Sequence, residues 1–457
     1  MNKREFLAAG GAVPLMLAGC GGSGSGSAPV RLVNASVGYS ALGFMVESTQ
    51  ETSSDVAYGN ASPFINVQAG TVGITLTVSN QAATSAQTRT IAKNTRYSLV
   101  AYGYPNELKQ VLITESTQAP DSGKANVNVL NTSVDIGPVD VYLSTDKAMT
   151  VPQLIASSVS GVQQSAFSPV LAGSYYVTVV GANSIARNIS DVRFQTPTAI
   201  TFTDQEILTI ILTPGASGTL ANAILLTQGT AGGATNATQP FYNLTARVRA
   251  VTAVPGHSTQ VIGQNSALTT PAVTILSSST TPLYSRYFVV NTGTPPVVTV
   301  DGQSVQVLMD TTTSSGTTTG AATLSAGGDY TLMVYMDPTS GNPTAKLVED
   351  NNTAPVTAQG VKFRLINLAS DNQNLQLSMA VNSISVATNI PYGTASPYTE
   401  VTGVPQSTAS VANVMNGPTV IASVTQVMTV QNIFTDIVVS VPNSGVAQNF
   451  FLSSTGT

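Results

Sequence analysis

The sequence predicts an all-β protein of tandem immunoglobulin-like antiparallel β-sandwich domains, and three observations carry that expectation. Its apolar runs are short, rich in Val, Ile, Thr and Tyr, and separated by turn residues. No segment keeps a helical period between capping residues. A related strand recurs at four places along the 457 residues, and a chain of that length suits three or four domains of roughly 100–200 residues each.

The first element is an export segment. Lys3 and Arg4 give a basic start, and Phe6 to Leu17 form an apolar run that Gly10, Gly11 and Pro14 interrupt, too short to span a bilayer. Leu17-Ala18-Gly19-Cys20 closes it and resembles the lipobox of bacterial lipoproteins. The resemblance implies that residues 1–19 are removed and that Cys20 is lipidated, tying the chain to a membrane. Several acyl chains, each contributing about 0.8 kcal/mol per buried CH₂, make such an attachment stable. A Gly/Ser tether follows within residues 20–28. Lys3-Arg4-Glu5-Phe6-Leu7 is similar to a twin-arginine motif with Lys for the first Arg, so twin-arginine and general secretory export both stay open. Gly21 after the cysteine is similar to lipoproteins sorted to the outer membrane.

Composition excludes several function classes. Hydrophobic residues make up 42% and charged residues only 9%, so Ser, Thr, Asn and Gln must solvate the surface, as suits an extracytoplasmic β protein. The formal charge is −5, and residues 1–19 carry +1 of it, which removes the basic face that nucleic acid requires. Cys20 is the only cysteine and His257 the only histidine, so an intramolecular disulfide, a cysteine metal site and a His-pair metal motif are excluded. No cofactor is expected.

Four modules follow, at residues 29–120, 124–228, 240–353 and 359–457. Arg31-Leu32-Val33-Asn34-Ala35-Ser36 opens the first and Arg364-Leu365-Ile366-Asn367-Leu368-Ala369-Ser370 the last, with weaker copies at Val127 to Ser133 and Arg247 to Thr252. Downstream of the two strong copies stand Tyr58-Gly59-Asn60-Ala61-Ser62-Pro63-Phe64 and Tyr392-Gly393-Thr394-Ala395-Ser396-Pro397-Tyr398. Tyr97 to Tyr102 and Tyr330 to Tyr335 mark module ends, with Glu206 to Leu212 and Phe434 to Val441 in equivalent places. Inside the modules, Val297 to Val300 and Ser304 to Met309 read as a hairpin about Asp301-Gly302, and residues 145–158 as one short helix. Together these motifs resemble DUF4397, a domain family of unknown function found in tandem in bacterial secreted proteins and lipoproteins. The resemblance implies immunoglobulin-type sandwiches and brings no catalytic residues. The middle two modules lack the Tyr-Gly-x-Ala-Ser-Pro segment.

The candidate sites each have a bland reading beside the functional one. Tyr58 and Tyr392 suit ligand stacking, but a turn with a tyrosine capping the core accounts for them better. Glu349 to Pro355 resembles the acidic calcium linker of cadherins; a solvated polar turn is the favoured account. His257, in Pro255-Gly256-His257-Ser258, reads as an exposed loop residue without a nucleophile elbow beside it. Asp310 to Gly320 reads as a mobile loop or a site of sugar attachment. The leading expectation is therefore a non-enzymatic, lipid-anchored rod or string of sandwiches in the envelope, binding a protein or a glycan or acting as a spacer. Two rivals stand beside it: a glycan hydrolase using a carboxylate pair, and a carrier with a ligand cavity.

Overall fold

The computed structural model describes residues 26–453 apart from 105–106, 134, 183–191, 216, 229–236, 265–271, 279–281, 314–315, 358, 371–375, 406 and 441–446, with side chains described outside 311–319. The leader, Cys20 and the tether as far as residue 25 lie outside the described residues. Among the described residues there is no α-helix, and eight small sheets enclose four separate apolar cores, spanning Ala28 to Leu112, Ala125 to Phe241, Ala246 to Leu347 and Val361 to Phe451.

One plan recurs in all four modules. An opening strand (Ser27–Asn34, Lys124–Asn131, Thr245–Ala253, Val361–Leu368) lies parallel to a penultimate strand (Tyr97–Tyr102, Ile207–Pro214, Asp329–Met336, Ile433–Ser440). A closing strand (Lys109–Thr114, Ala221–Gln228, Pro343–Asp350, Ala447–Ser453) then returns antiparallel to the penultimate one. The all-β expectation holds, but not every ladder is antiparallel: an opening strand that crosses to the second sheet and comes back must meet its late partner in the same direction. The second sheet is built about a central antiparallel pair: Ala41–Val46 with Gly70–Val78, Val139–Ser144 with Gly173–Gly181, Thr259–Gln264 with Val297–Val300, and Leu377–Val381 with Ser410–Asn416.

The opening and penultimate strands are buried on both faces, which is why they read as near-continuous apolar runs rather than alternating ones. In the first module Ala28, Val30 and Leu32 enter its own core, whereas Val33 and Ala35 join a second cluster with Val100, Ile113 and, from the next module, Leu130, Ile211, Ile224 and Leu226. Val251, Ala253, Met333 and Tyr335 meet Ile366, Leu368, Ile437 and Val439 in the same manner. Modules 1 and 2, and modules 3 and 4, therefore pack sheet face on sheet face in two four-layered pairs. The pairs touch through Val180, Val192 and Val289, and through Ser217, whose hydroxyl donates to the Gly327 carbonyl at 2.6 Å.

Three local expectations change. Residues 145–152 are turns and Gln153–Val159 is an edge strand, not a helix; Met149 adopts φ +55° and Pro152 cannot extend an intrahelical ladder. The Thr-rich segment is not a loop but a hairpin, Val307–Thr313 with Gly316–Ala321, attached to the closing strand of module 3. The Asp301-Gly302 turn forms, with φ +49° and +78°, yet its second strand ends at Val305 and the chain changes sheet at Gln306.

Candidate functional site

A recurring set of buried polar and charged side chains gathers where sheet faces meet. Arg31, Asn128, Arg249 and Arg364 occupy one register position of the opening strands, opposite Ser98, Thr209, Thr331 and Thr435. Two residues past the hydroxyl's partner on the closing strand stand Glu115, Gln228 and Asp350. All of these are buried. A lone guanidinium in such a place would cost several kcal/mol, so each must find a carboxylate and hydroxyl partners. Arg31 Nη2 lies 2.6 Å from Glu115 Oε1, its Nε donates to Ser98 Oγ at 3.0 Å, and Nη2 also donates to the Thr227 carbonyl of module 2 at 2.9 Å.

Between modules 3 and 4 the arrangement is richer. Arg247 makes two bonds to Asp329, at 2.8 and 2.6 Å. Arg364 of module 4 reaches Asp350 of module 3 and donates to the Glu349 carbonyl at 3.2 Å, while Arg249 Nη2 donates to Thr435 Oγ1 at 2.9 Å in the opposite sense. Tyr287 and Thr331 also donate to Asp350. Burial alone would raise the Asp350 carboxyl, but Arg364 and Arg249 outweigh it and hold it below the usual carboxylate range. Aromatic rings roof the cations: Phe64 over Arg31 at 4.7 Å, Tyr287 over Arg247 and Arg249 at 4.5 and 4.8 Å, and Tyr398 over Arg364 at 4.6 Å.

The repeated Tyr-Gly-x-Ala-Ser-Pro segment belongs to the same interfaces. Tyr58 crosses from module 1 to bond Thr213 Oγ1 at 2.8 Å, and Tyr392 from module 4 to donate to the Met336 carbonyl at 3.1 Å. Each cap thus closes the seam between modules rather than the core of its own. Gly59 and Gly393 have φ +80° and +70°, and a β-carbon there would come within 2.9 Å of Pro240 and 2.6 Å of Tyr335 across the seam. Ser62 and Ser396 accept the amide protons of Leu32 and Leu365 at 2.9 and 3.0 Å. Ser165 and Ser285 do the same for Val129 and Ala250 in the middle modules, both at 2.9 Å. The Ser-x-aromatic spacing (Ser62 to Phe64, Ser165 to Phe167, Ser285 to Tyr287, Ser396 to Tyr398) was the signal for this clamp in every module, and the fuller motif concealed it.

The remaining candidates separate. In the 349–355 junction, Asp350 is buried against two guanidinium groups, Asn352 donates to Asp329 at 2.7 Å, and Asn351 accepts from Thr353 and Lys362. That corrects the solvated turn, and it leaves Asp350 in a field that suits an anion rather than calcium. Asp329 and Asp350 are register partners and the nearest thing to a carboxylate pair, but both are fully buried and held by arginine, away from any groove. His257 Nδ1 lies 2.7 Å from Asp301 Oδ2, and Ser258 donates to the other carboxylate oxygen rather than to the ring, so the three do not form a nucleophilic relay. Among the described residues no three His, Cys, Asp or Glu groups cluster as metal ligands.

Residues 28–142 match the family described as Domain of unknown function (DUF4397). The match takes in module 1 and ends within the second strand of module 2, covering about a quarter of the chain. None of the curated proteins matches. Among solved structures, a candidate cell adhesion protein of Parabacteroides distasonis is similar at 11% identity over 51% of this chain and 100% of its own, with a TM-score of 0.22. A second candidate cell adhesion protein, from Bacteroides uniformis, is similar at 8% identity over 50% of this chain and 98% of its own, with a TM-score of 0.19.

Where the modules converge, two open cavities of about 550 Å³ each share Tyr104 and Pro214 in their walls. The Tyr104 hydroxyl donates to Asp135 of module 2, whose other oxygen accepts the Ala354 amide of the junction between modules 3 and 4 at 2.7 Å. Burial raises the Asp135 carboxyl, and those two hydrogen bonds offset part of the rise.

Proposed function

We propose that this chain is a lipid-anchored protein of the bacterial cell envelope, carried on the outer membrane through Cys20, which works by binding or bracing and not by catalysis. One observation carries the reading: buried arginines at the sheet faces tie modules together, Arg364 to Asp350 and Arg249 to Thr435 between modules 3 and 4, and Arg31 to the Thr227 carbonyl between modules 1 and 2. Arg31, Arg249 and Arg364 lie on the faces that neighbouring sheets turn toward each other, and Glu115, Asp329 and Asp350 are each neutralised in place. Groups held in this way supply rigidity and are withdrawn from chemistry with a ligand. A braced array of sandwiches that follows a Gly/Ser-rich stretch after Cys20 is suited to holding a surface at a distance from the membrane.

Cys20→Ser tests the anchor. The wild-type chain is expected in the outer-membrane fraction with its amino terminus processed at Cys20, and the serine variant in the soluble or unprocessed pool. A serine variant that fractionates like wild type would remove the lipid from the account. Protease shaving of intact cells carrying a tag near Thr457 then separates an adhesive surface role from a periplasmic one.

A further inference from the structure

We infer that the cavity between modules 1, 2 and 3 is a binding site for a neutral oligosaccharide, a proposal that rests on the non-catalytic reading above and gives it a ligand class. Four tyrosines line or border it: Tyr39, Tyr58 and Tyr104 from module 1 and Tyr242 from the segment joining modules 2 and 3. Its lining includes no Lys, Arg, Asp or Glu, although the chain as a whole carries −5. A charged ligand would find no counter-ion there. A saccharide needs none, because its rings offer apolar C–H faces to aromatic planes and hydroxyls to amides and phenols.

The aromatic planes are fixed before any ligand arrives. The Tyr58 hydroxyl is held by Thr213 and that of Tyr104 by Asp135, so both rings are oriented by bonds directed away from their faces. Tyr242 stands 6.2 Å from Tyr58 at 40°, and it is 50% exposed, which leaves its hydroxyl and one face for a ligand. Ser40 supplies a hydroxyl at the rim, and the Asn222 side chain in the wall is held by the Pro214 carbonyl and the Asn243 amide. Pre-organised walls of this kind lower the ordering cost of binding. A second cavity of about 550 Å³ shares Tyr104 and Pro214 in its wall, and although Glu107, Lys109 and Asp135 also line it, the added room next to the tyrosines favours an oligomer over a single sugar. An extended peptide is the less suitable occupant, since the lining residues lie in loops and turns apart from Pro214 and Asn222, which belong to two strands already paired with each other.

The test is a calorimetric titration of the full chain in detergent with cellohexaose, maltohexaose and the hexamer of N-acetylglucosamine, with decaproline as the peptide probe. Tyrosine fluorescence serves as a second readout, undisturbed because the chain lacks Trp. At least one hexamer is expected to bind saturably, Tyr242→Ala to weaken it about tenfold or more, and Tyr242→Phe to retain most of the affinity. Tyr284→Ala, at a similarly exposed tyrosine outside the groove (43%), is expected to leave affinity unchanged. Absence of saturable binding by all three hexamers, equal binding by Tyr242→Ala, or preferential binding of decaproline would each overturn the site. Cleavage of a bound hexamer, lost in Tyr242→Ala, would uphold the groove and overturn the non-catalytic reading instead.

Discussion

Asp436 shows how much one side chain can depart from the plan of its neighbours. It stands where Leu99, Ile210 and Leu332 stand in the other modules, in the core of module 4 between Phe434 and Val438, and it is 0% exposed. Asn449 donates to one carboxyl oxygen at 3.3 Å and the other has no partner among the described residues. Burial pushes this carboxyl up to about 7. The folded state therefore keeps a proton that the unfolded chain releases near pH ~3.9. The stabilisation is complete below that pH and is lost as pH rises through 7, on the order of 4 kcal/mol at full effect. Denaturant titrations from pH 5 to 8 should show wild type losing stability relative to Asp436→Leu, with the variant the more stable at pH 8; parallel curves would refute the assignment. Gly59→Ala and Gly393→Ala should each cost about 1–3 kcal/mol, read by the same titrations, since positive φ and a facing side chain both oppose a β-carbon. The glycines were legible in the sequence as turn residues. Asp436 was not, because an acid inside an apolar run has no local signature that distinguishes core from surface.

At the scale of strands, pairing direction and partners across sheets decide what the sequence reveals. Val, Ile and Thr content identified the opening and penultimate strands, and the repeat aligned them correctly between modules. What it did not disclose is that Arg31 and Arg364 point at another module, for a strand buried on both faces loses the alternation that would have marked one side as solvent. The Thr-rich hairpin was missed for a related reason: Thr and Gly serve strands and loops alike, and only pairing with Pro343–Asp350 decides. Replacing Arg364 by Met should be costly, about 3–5 kcal/mol, because Asp350 then retains only the more distant Arg249 at 3.7 Å as its counter-charge. Equilibrium unfolding should show modules 3 and 4 separating into two transitions in that variant. The long edge strands Gln153–Val159, Ala272–Ser278 and Ile384–Ile390 each carry a register shift, and such bulges hinder strand addition by a second chain.

The molecule as a whole is two locked pairs rather than four beads. Within a pair, an apolar cluster crosses the seam together with an arginine contact, the Arg364–Asp350 ion pair in one and the Arg31–Thr227 hydrogen bond in the other; between pairs, a small valine cluster and a few loop hydrogen bonds do so. Calorimetry should accordingly resolve two cooperative transitions, and limited proteolysis should nick first between Gln228 and Thr245, leaving two fragments of similar size. Early cutting at 116–123, inside the first pair, would contradict this division. Neither seam was foreseeable from composition, since the same Val and Ile residues build interior and interface.

The tyrosine clasp is one-sided. Modules 1 and 4 extend Tyr58 and Tyr392, and modules 2 and 3 receive them. The outer modules are plugs and the inner ones sockets, which explains why the middle two dispense with the motif. Removal of module 1 or of module 4 should therefore leave its neighbour with an unfilled socket, at Thr213 in the first case and at the Met336 carbonyl in the second.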